Sequence, residues 1–119
     1  MSVSLKTAKI VGNMLGIDFN KIPLETFQMG MNVEMEHGKI NKLTNVTDND
    51  PVKTGKIALA HLLEAPDYYE RLEKMEQEAK IKWNKYTDKE KYNMVMKEDN
   101  SVLYSLIGVS GVYLFSLII

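Results

Sequence analysis

Four side chains occur in a spacing that could bind a metal ion. Glu34 and His37 form Glu-x-x-His, and the mirror-image pattern His-x-x-Glu begins at His61 and ends at Glu64. Residues three positions apart lie on one face of a helix, and bundles that bind two iron ions use Glu-x-x-His in this way. Two neighbouring helices could therefore present all four side chains to one metal ion.

The same two histidines also have a structural interpretation, which stays open. His37 directly precedes Gly38 at the expected end of a helix, where a histidine interacts with the dipole and the last carbonyl groups. His61 could be a partly buried, hydrogen-bonded side chain. Complete two-metal bundles draw on four helices and more carboxylates, whereas this chain has only two histidines in total.

The composition of the chain excludes several kinds of protein. The chain has 119 residues, enough for one domain. It has no cysteine, which excludes disulfides, thiolate catalysis and cysteine-bound zinc. Its net charge is −1, with acidic and basic residues alternating along the chain, so we expect no nucleic-acid partner. No nucleophile motif or glycine-rich phosphate loop occurs, so we expect neither an enzyme nor a cofactor.

The first half of the chain predicts helices that would carry the four side chains. Apolar residues at helical spacing predict a first helix over residues 4–15, which Gly16 ends, and a second over residues 23–37. Gly30 lies inside the second helix and would allow a neighbouring helix to approach closely. Residues 39–49 are polar and predict a loop.

Helix signals continue in the second half. Asp50 is the expected N-cap of a third helix that ends near residue 64. A fourth helix follows, with an apolar stripe from Tyr68 to Tyr86, and a capping box at Thr87 extends the helical region toward residue 97. No stretch alternates with period two. The prediction is therefore an all-α domain of four to five helices over residues 1–100.

The chain ends in eighteen residues without a charged side chain, VLYSLIGVSGVYLFSLII at residues 102–119. As a helix this run would span about 27 Å, close to the roughly 30 Å of a bilayer core. It has no polar stripe, as a core helix would have. We predict that residues 101–119 form a transmembrane tail anchor, with the N-terminal domain on the cytosolic side. The anchoring apolar side chains include Val102, Leu103, Leu106, Ile107, Leu114, Phe115, Leu117 and Ile118.

Two other interpretations of the tail remain. It could be a buried C-terminal core helix, although a helical domain of about a hundred residues would struggle to surround it on all sides. The domain could also be a soluble interaction module whose tail docks into a partner or packs in an oligomer. Apolar helices that are hidden in oligomers resemble membrane anchors in sequence.

Four segments carry a resemblance to a known family. They are residues 29–38 (MGMNVEMEHG), 44–47 (TNVT), 50–62 (DPVKTGKIALAHL) and 66–72 (PDYYERL). Over residues 16–75 the chain resembles a small domain family of unknown function found in bacteriophages, large DNA viruses and some bacteria. The resemblance implies a small helical domain and a viral protein, but it implies no catalytic residue. The apolar tail lies outside that pattern.

Together these observations favour a membrane-anchored structural or assembly protein. The resemblance and the tail point to a minor virion component of a large DNA virus, linking the internal membrane to the capsid. The expected partners are the membrane, through the C-terminal helix, and capsid or other membrane proteins. The alternatives are a metal-binding helical domain and the soluble interaction module.

Overall fold

A computed structural model describes residues 2–97, and all of the regular structure in this range is helical. No strand occurs in this range, so the prediction of an all-α fold is confirmed. The α-helices are α1 (Leu5–Leu15), α2 (Leu24–Glu34), α3 (Pro51–Glu64), α4 (Tyr68–Trp83) and α5 (Asp88–Val95), with a short 3-10 turn at Met35–His37.

Local sequence explains where the helices begin and end. The Ser4 hydroxyl accepts a hydrogen bond from the Thr7 backbone N–H and caps α1, while Gly16 ends that helix with φ +81°, a left-handed conformation that glycine adopts without strain. Asp50 caps α3 as predicted, since its Oδ1 accepts from the N–H groups of Val52 at 2.9 Å and Lys53 at 3.0 Å. The second predicted helix ends in two steps, as α2 and then the 3-10 turn.

The described residues divide into two units, one up to Glu73 and one from Lys74 onward. In the first unit, α1, α2 and α3 pack against one another. Burying apolar surface between these helices is the main stabilising term of such a domain. The buried apolar residues are Val3, Ala8, Val11, Phe27, Met31, Met35, Ala58, Leu62 and Tyr69.

The loop between the 3-10 turn and α3 is tied to the end of the turn. The backbone N–H groups of Val46 and Thr47 both donate to the carbonyl oxygen of His37, at 2.7 and 3.2 Å. The Asn49 Oδ1 accepts a hydrogen bond from the Lys39 N–H at 2.9 Å. These bonds fix the backbone on both sides of the loop and hold His37 in place.

The described part of the second unit, residues 74–97, exposes most of its side chains. In its part of α4 the predicted apolar stripe is exposed to solvent: Met75 is 57% exposed and Trp83 is 40% exposed. The stripe is partly covered near the start of α4, where Tyr68 and Leu72 are half-buried. Helix α5 begins with the predicted capping box, in which the Glu90 N–H donates to the Thr87 hydroxyl and the Thr87 N–H donates to the Glu90 carboxylate.

No helix within residues 2–97 is long and apolar enough to cross a membrane. The predicted anchor at residues 102–119 and the predicted domain boundary at residue 100 lie outside the range that the structure describes.

Candidate functional site

A buried glutamate lies at the C-terminal end of α2. Glu34 is 3% exposed, which is rare for a charged side chain because burial removes its hydration. Its position follows from helical spacing: Phe27 and Met31 are buried on the same face of α2, and Glu34 comes next on that face. The end of an otherwise apolar face therefore carries a carboxylate into the protein.

Tyr69, in the first turn of α4, is the one hydrogen-bond donor in the described range that reaches this carboxylate. Its hydroxyl donates to Glu34 Oε1 at 2.9 Å. Burial, followed by the hydrogen bond to Glu34 and the charge of Glu34, raises the pKa of the Tyr69 phenol. The hydroxyl therefore keeps its proton and remains a donor.

A glycine makes room for the tyrosine. A Cβ atom at Gly30 would lie 2.5 Å from Tyr69 Cε2, well inside van der Waals contact. Gly30 therefore lets the Tyr69 ring lie directly against the backbone of α2. The sequence predicts the close approach of a neighbouring helix at Gly30, and the group that lies there is the side-chain ring of Tyr69 from α4.

The two histidines face the two oxygens of the same carboxylate. His37 Nε2 lies 3.7 Å from Glu34 Oε2, and His61 Nε2 lies 3.7 Å from Glu34 Oε1. These distances are too long for hydrogen bonds, and the contacts become ion pairs only when the imidazoles are protonated. The 3-10 turn supplies His37, and the last turn of α3 supplies His61.

His61 lies between two carboxylates. Its Nδ1 atom lies 3.6 Å from Glu64 Oε2. That nitrogen is buried and has no hydrogen-bond partner within the described range. The imidazole stacks on the Tyr68 ring, with centroids 4.2 Å apart and planes 8° apart, while Tyr69 presents its edge at 6.3 Å. Packing against two aromatic rings orients the imidazole.

The four side chains predicted to bind a metal are thus brought together, but around two different points. Glu34, His37 and the Nε2 of His61 share one, whereas Glu64 faces the other nitrogen of His61. The two ring nitrogens point in different directions, so one ion cannot bind both. Within residues 2–97, no three such side chains are grouped closely enough to hold a metal ion as they stand. Metal binding stays a prediction.

Sequence reasoning missed the two tyrosines as members of the site. The sequence pattern places Tyr68 only at the start of the apolar stripe of the fourth helix and predicts no role for Tyr69 in the site. The available signal was their position just after Pro66, at the start of a helix that directly follows the one carrying His61. The neighbouring carboxylates and imidazoles can take up protons or a cation.

A comparison with protein families identifies the family of the chain. Residues 8–78 match the family described as protein of unknown function (DUF5661). This match confirms the resemblance to a family of unknown function and extends it beyond residues 16–75 at both ends. No curated protein and no solved structure matches the chain.

Proposed function

Because the chain belongs to the DUF5661 family, whose function is unknown, we propose a function from its own residues: a membrane-anchored structural or assembly protein without enzymatic activity. The single observation that carries the proposal is the uncharged run at residues 102–119. Eighteen apolar or small residues are enough for a bilayer span at the short end of the usual range. The helical domain is then held at the membrane surface.

A finer proposal concerns where this membrane lies. The N-terminal domain faces the cytosol, and the protein is a minor component of a virion, joining an internal membrane to the capsid. The viral origin that the resemblance of residues 16–75 implies supports this step, together with the tail. Detection of the protein in purified particles would test it, and its absence from them would end it.

The anchor is tested by comparing the full chain with a version that ends at Asn100. Carbonate extraction and detergent partitioning should leave the full chain with the membrane and release the truncated version. A second variant keeps the chain length: Leu106→Lys with Val109→Lys. A charge near the centre of a span costs about 2.5–3.5 kcal/mol, so this variant should also be released.

The matched control places the same two charges at exposed apolar positions of the domain, Ile40→Lys with Leu63→Lys, which are 79% and 77% exposed. It should stay with the membrane. If the full chain is soluble and monomeric, the proposal is wrong. If it is soluble and oligomeric, and the version ending at Asn100 is monomeric, the tail packs in an oligomer instead.

A second function, binding of a divalent metal ion, is favoured by the geometry around Glu34. Each oxygen of this buried carboxylate lies 3.7 Å from a histidine Nε2. Ligands of one zinc ion at about 2.0–2.2 Å lie roughly 3.4 Å apart, which is close to these two carboxylate–imidazole distances. Glu64 would then face the free nitrogen of His61, as carboxylates do behind many metal-bound histidines.

Elemental analysis of the purified full chain in detergent tests this second function, together with melting in Zn²⁺ and in chelator. Glu34→Gln, His37→Gln and His61→Gln should each abolish stabilisation by Zn²⁺. Glu64→Gln should weaken binding about 10–100-fold, as loss of an outer hydrogen-bond partner does. The control is Glu36→Gln, an exposed neighbour on the same turn. Absence of metal and unchanged melting in chelator would end this hypothesis.

A further inference from the structure

Positive charge is concentrated in one part of a chain that is close to neutral overall. Residues 80–97 contain six lysines and two acidic residues, for a net charge of +4, whereas the whole chain has −1. The alternation expected along the whole sequence therefore fails here. These residues include the C-terminal end of α4 and all of α5, and we call them the basic segment.

The basic segment also exposes apolar side chains. Ile81 is 85% exposed and Val95 is 81% exposed, and Trp83, Met94 and Met96 are exposed as well. No residue of α5 is buried. Exposed apolar side chains interleaved with lysines are typical of helices that lie in the interface of a lipid bilayer.

The aromatic side chains of the segment are paired with lysines. The Lys82 Nζ lies 5.3 Å from the centroid of the Trp83 ring, and the Lys85 Nζ lies 5.2 Å from that of Tyr86. The two rings are themselves neighbours, 5.6 Å apart. Tryptophan and tyrosine prefer the headgroup level of a bilayer, where a lysine can bury its aliphatic stem and extend its charge to the lipid headgroups.

We propose that the basic segment binds the surface of a bilayer that contains anionic lipids. Lysines attract anionic headgroups, while Ile81 and Val95 leave water at the acyl boundary. A nucleic-acid backbone would engage the lysines but would not bury these aliphatic side chains. This inference deepens and rests on the proposed membrane function, since only residues 98–101 separate the segment from the apolar run.

The single tryptophan of the chain, Trp83, reports on the segment directly. The full chain is mixed with vesicles of phosphatidylcholine alone, or with an equal proportion of phosphatidylserine. Two readouts are taken. Flotation measures whether the chain is bound to the vesicle, and quenching of Trp83 by brominated acyl chains measures whether the segment lies in the interface. We expect quenching to be several-fold stronger with phosphatidylserine and to decrease in high salt.

Matched triple variants identify the charges responsible. Lys82→Glu, Lys85→Glu and Lys91→Glu together should reduce quenching in phosphatidylserine vesicles to the phosphatidylcholine level. The control, Lys6→Glu, Lys9→Glu and Lys42→Glu, changes the net charge equally at exposed positions of the first unit and should quench like the native chain. Equal quenching in both kinds of vesicle, or by both triple variants, would overturn the proposal.

The two readouts separate this inference from the anchor. A chain that floats with phosphatidylcholine but shows no extra Trp83 quenching with phosphatidylserine has an anchor and refutes the role of the basic segment. A chain that fails to float with phosphatidylcholine but gives lysine-dependent quenching with phosphatidylserine supports the segment and refutes the anchor. A Trp83 response to a single-stranded oligonucleotide, with none to either vesicle, would assign the segment to nucleic acid and overturn the proposal.

Discussion

The Tyr69 hydroxyl donates a hydrogen bond of 2.9 Å to Glu34 Oε1, which joins the first turn of α4 to the end of α2 across 35 positions of the sequence. It is the shortest polar contact of the buried carboxylate, since both histidine nitrogens lie 3.7 Å away. The packing of the first turn of α4 against the end of α2 should therefore depend on the hydrogen bond that the Tyr69 hydroxyl donates.

Removal of the Tyr69 hydroxyl group tests how much its hydrogen bond to Glu34 stabilises the domain. Tyr69→Phe keeps the ring and removes the hydrogen bond to a buried carboxylate, which should reduce the free energy of unfolding by about 1.5–3 kcal/mol. Urea unfolding of the full chain in detergent measures the difference. The control is Tyr68→Phe, whose hydroxyl makes no hydrogen bond within the described range and whose loss should cost less than about 0.5 kcal/mol. Equal effects of the two variants would contradict the assignment.

Gly30→Ala should destabilise the domain although alanine favours helix. Alanine gains about 1 kcal/mol in helix propensity, but its Cβ would lie 2.5 Å from Tyr69 Cε2. Displacing that ring should cost about 1–3 kcal/mol, so the melting temperature should fall.

The same substitution should have the opposite sign once the ring is gone. In a Tyr69→Leu background, Gly30→Ala should stabilise the domain by up to about 1 kcal/mol. A double-mutant cycle from urea unfolding measures this coupling. If Gly30→Ala stabilises both backgrounds, the close packing of Tyr69 on Gly30 is wrong.

Asp50, the N-cap of α3, should contribute to the loss of stability of the domain at acid pH. The backbone N–H of Lys53, with those of Val52 and nearby lysine charges, holds the pKa of Asp50 below its usual value. Because the pKa of Asp50 is lower in the folded than in the unfolded state, the stabilisation is complete above the unfolded pKa, about 3.9. It is lost as the pH falls through the folded pKa.

Asp50→Asn isolates this contribution. Asparagine keeps an acceptor for the two N–H groups but does not titrate, so its melting temperature should fall less than that of the native chain between about pH 5 and pH 2. Asp18→Asn, on an exposed turn of the first unit, serves as a control and should follow the native curve. Identical acid limbs for native and Asp50→Asn chains would show that the cap does not contribute.

The loss of stability when an apolar side chain is replaced by alanine should depend on how deeply that side chain is buried. A position on the predicted apolar stripe of α4 should not be enough to cause a large loss. Leu62 is 5% exposed, whereas Met75 is 57% exposed. Leu62→Ala should therefore cost about 2–5 kcal/mol, and Met75→Ala should stay within about 0.5 kcal/mol. Urea unfolding distinguishes the two. A large loss for Met75→Ala would show that its side chain is covered in solution.

Much of the fold could be predicted because its signals are local. Ser4, Asp50 and Thr87 each precede a helix and satisfy the first free N–H groups, so the helix starts can be read from neighbouring residues. The pairing of Glu34 with His37, and of His61 with Glu64, was also predictable, because a spacing of three places both members of a pair on one helix face. The spacing did not show whether the helices that carry Glu34 and His61 would pack together at these faces, because this depends on tertiary contacts.

Other features depended on contacts that are distant in the sequence. The partner of Glu34 is Tyr69, and nothing beside either residue identifies the other. The α4 stripe has suitable periodicity throughout, but periodicity does not show whether another element covers the stripe, and Met75 is left exposed. The charge of the basic segment was hidden because the net charge of the whole chain combines it with the net charge of −3 on residues 1–79.

The loop between His37 and Asp50 has a consequence for sequence variation in the family. The Val46 and Thr47 amides both donate hydrogen bonds to the His37 carbonyl. The two ends of the segment at residues 39–45 therefore lie close together. Lengthening such an excursion adds only a small closure entropy. Insertions and deletions among homologues should therefore concentrate before residue 46, and an epitope tag placed there should leave the surroundings of Glu34 intact.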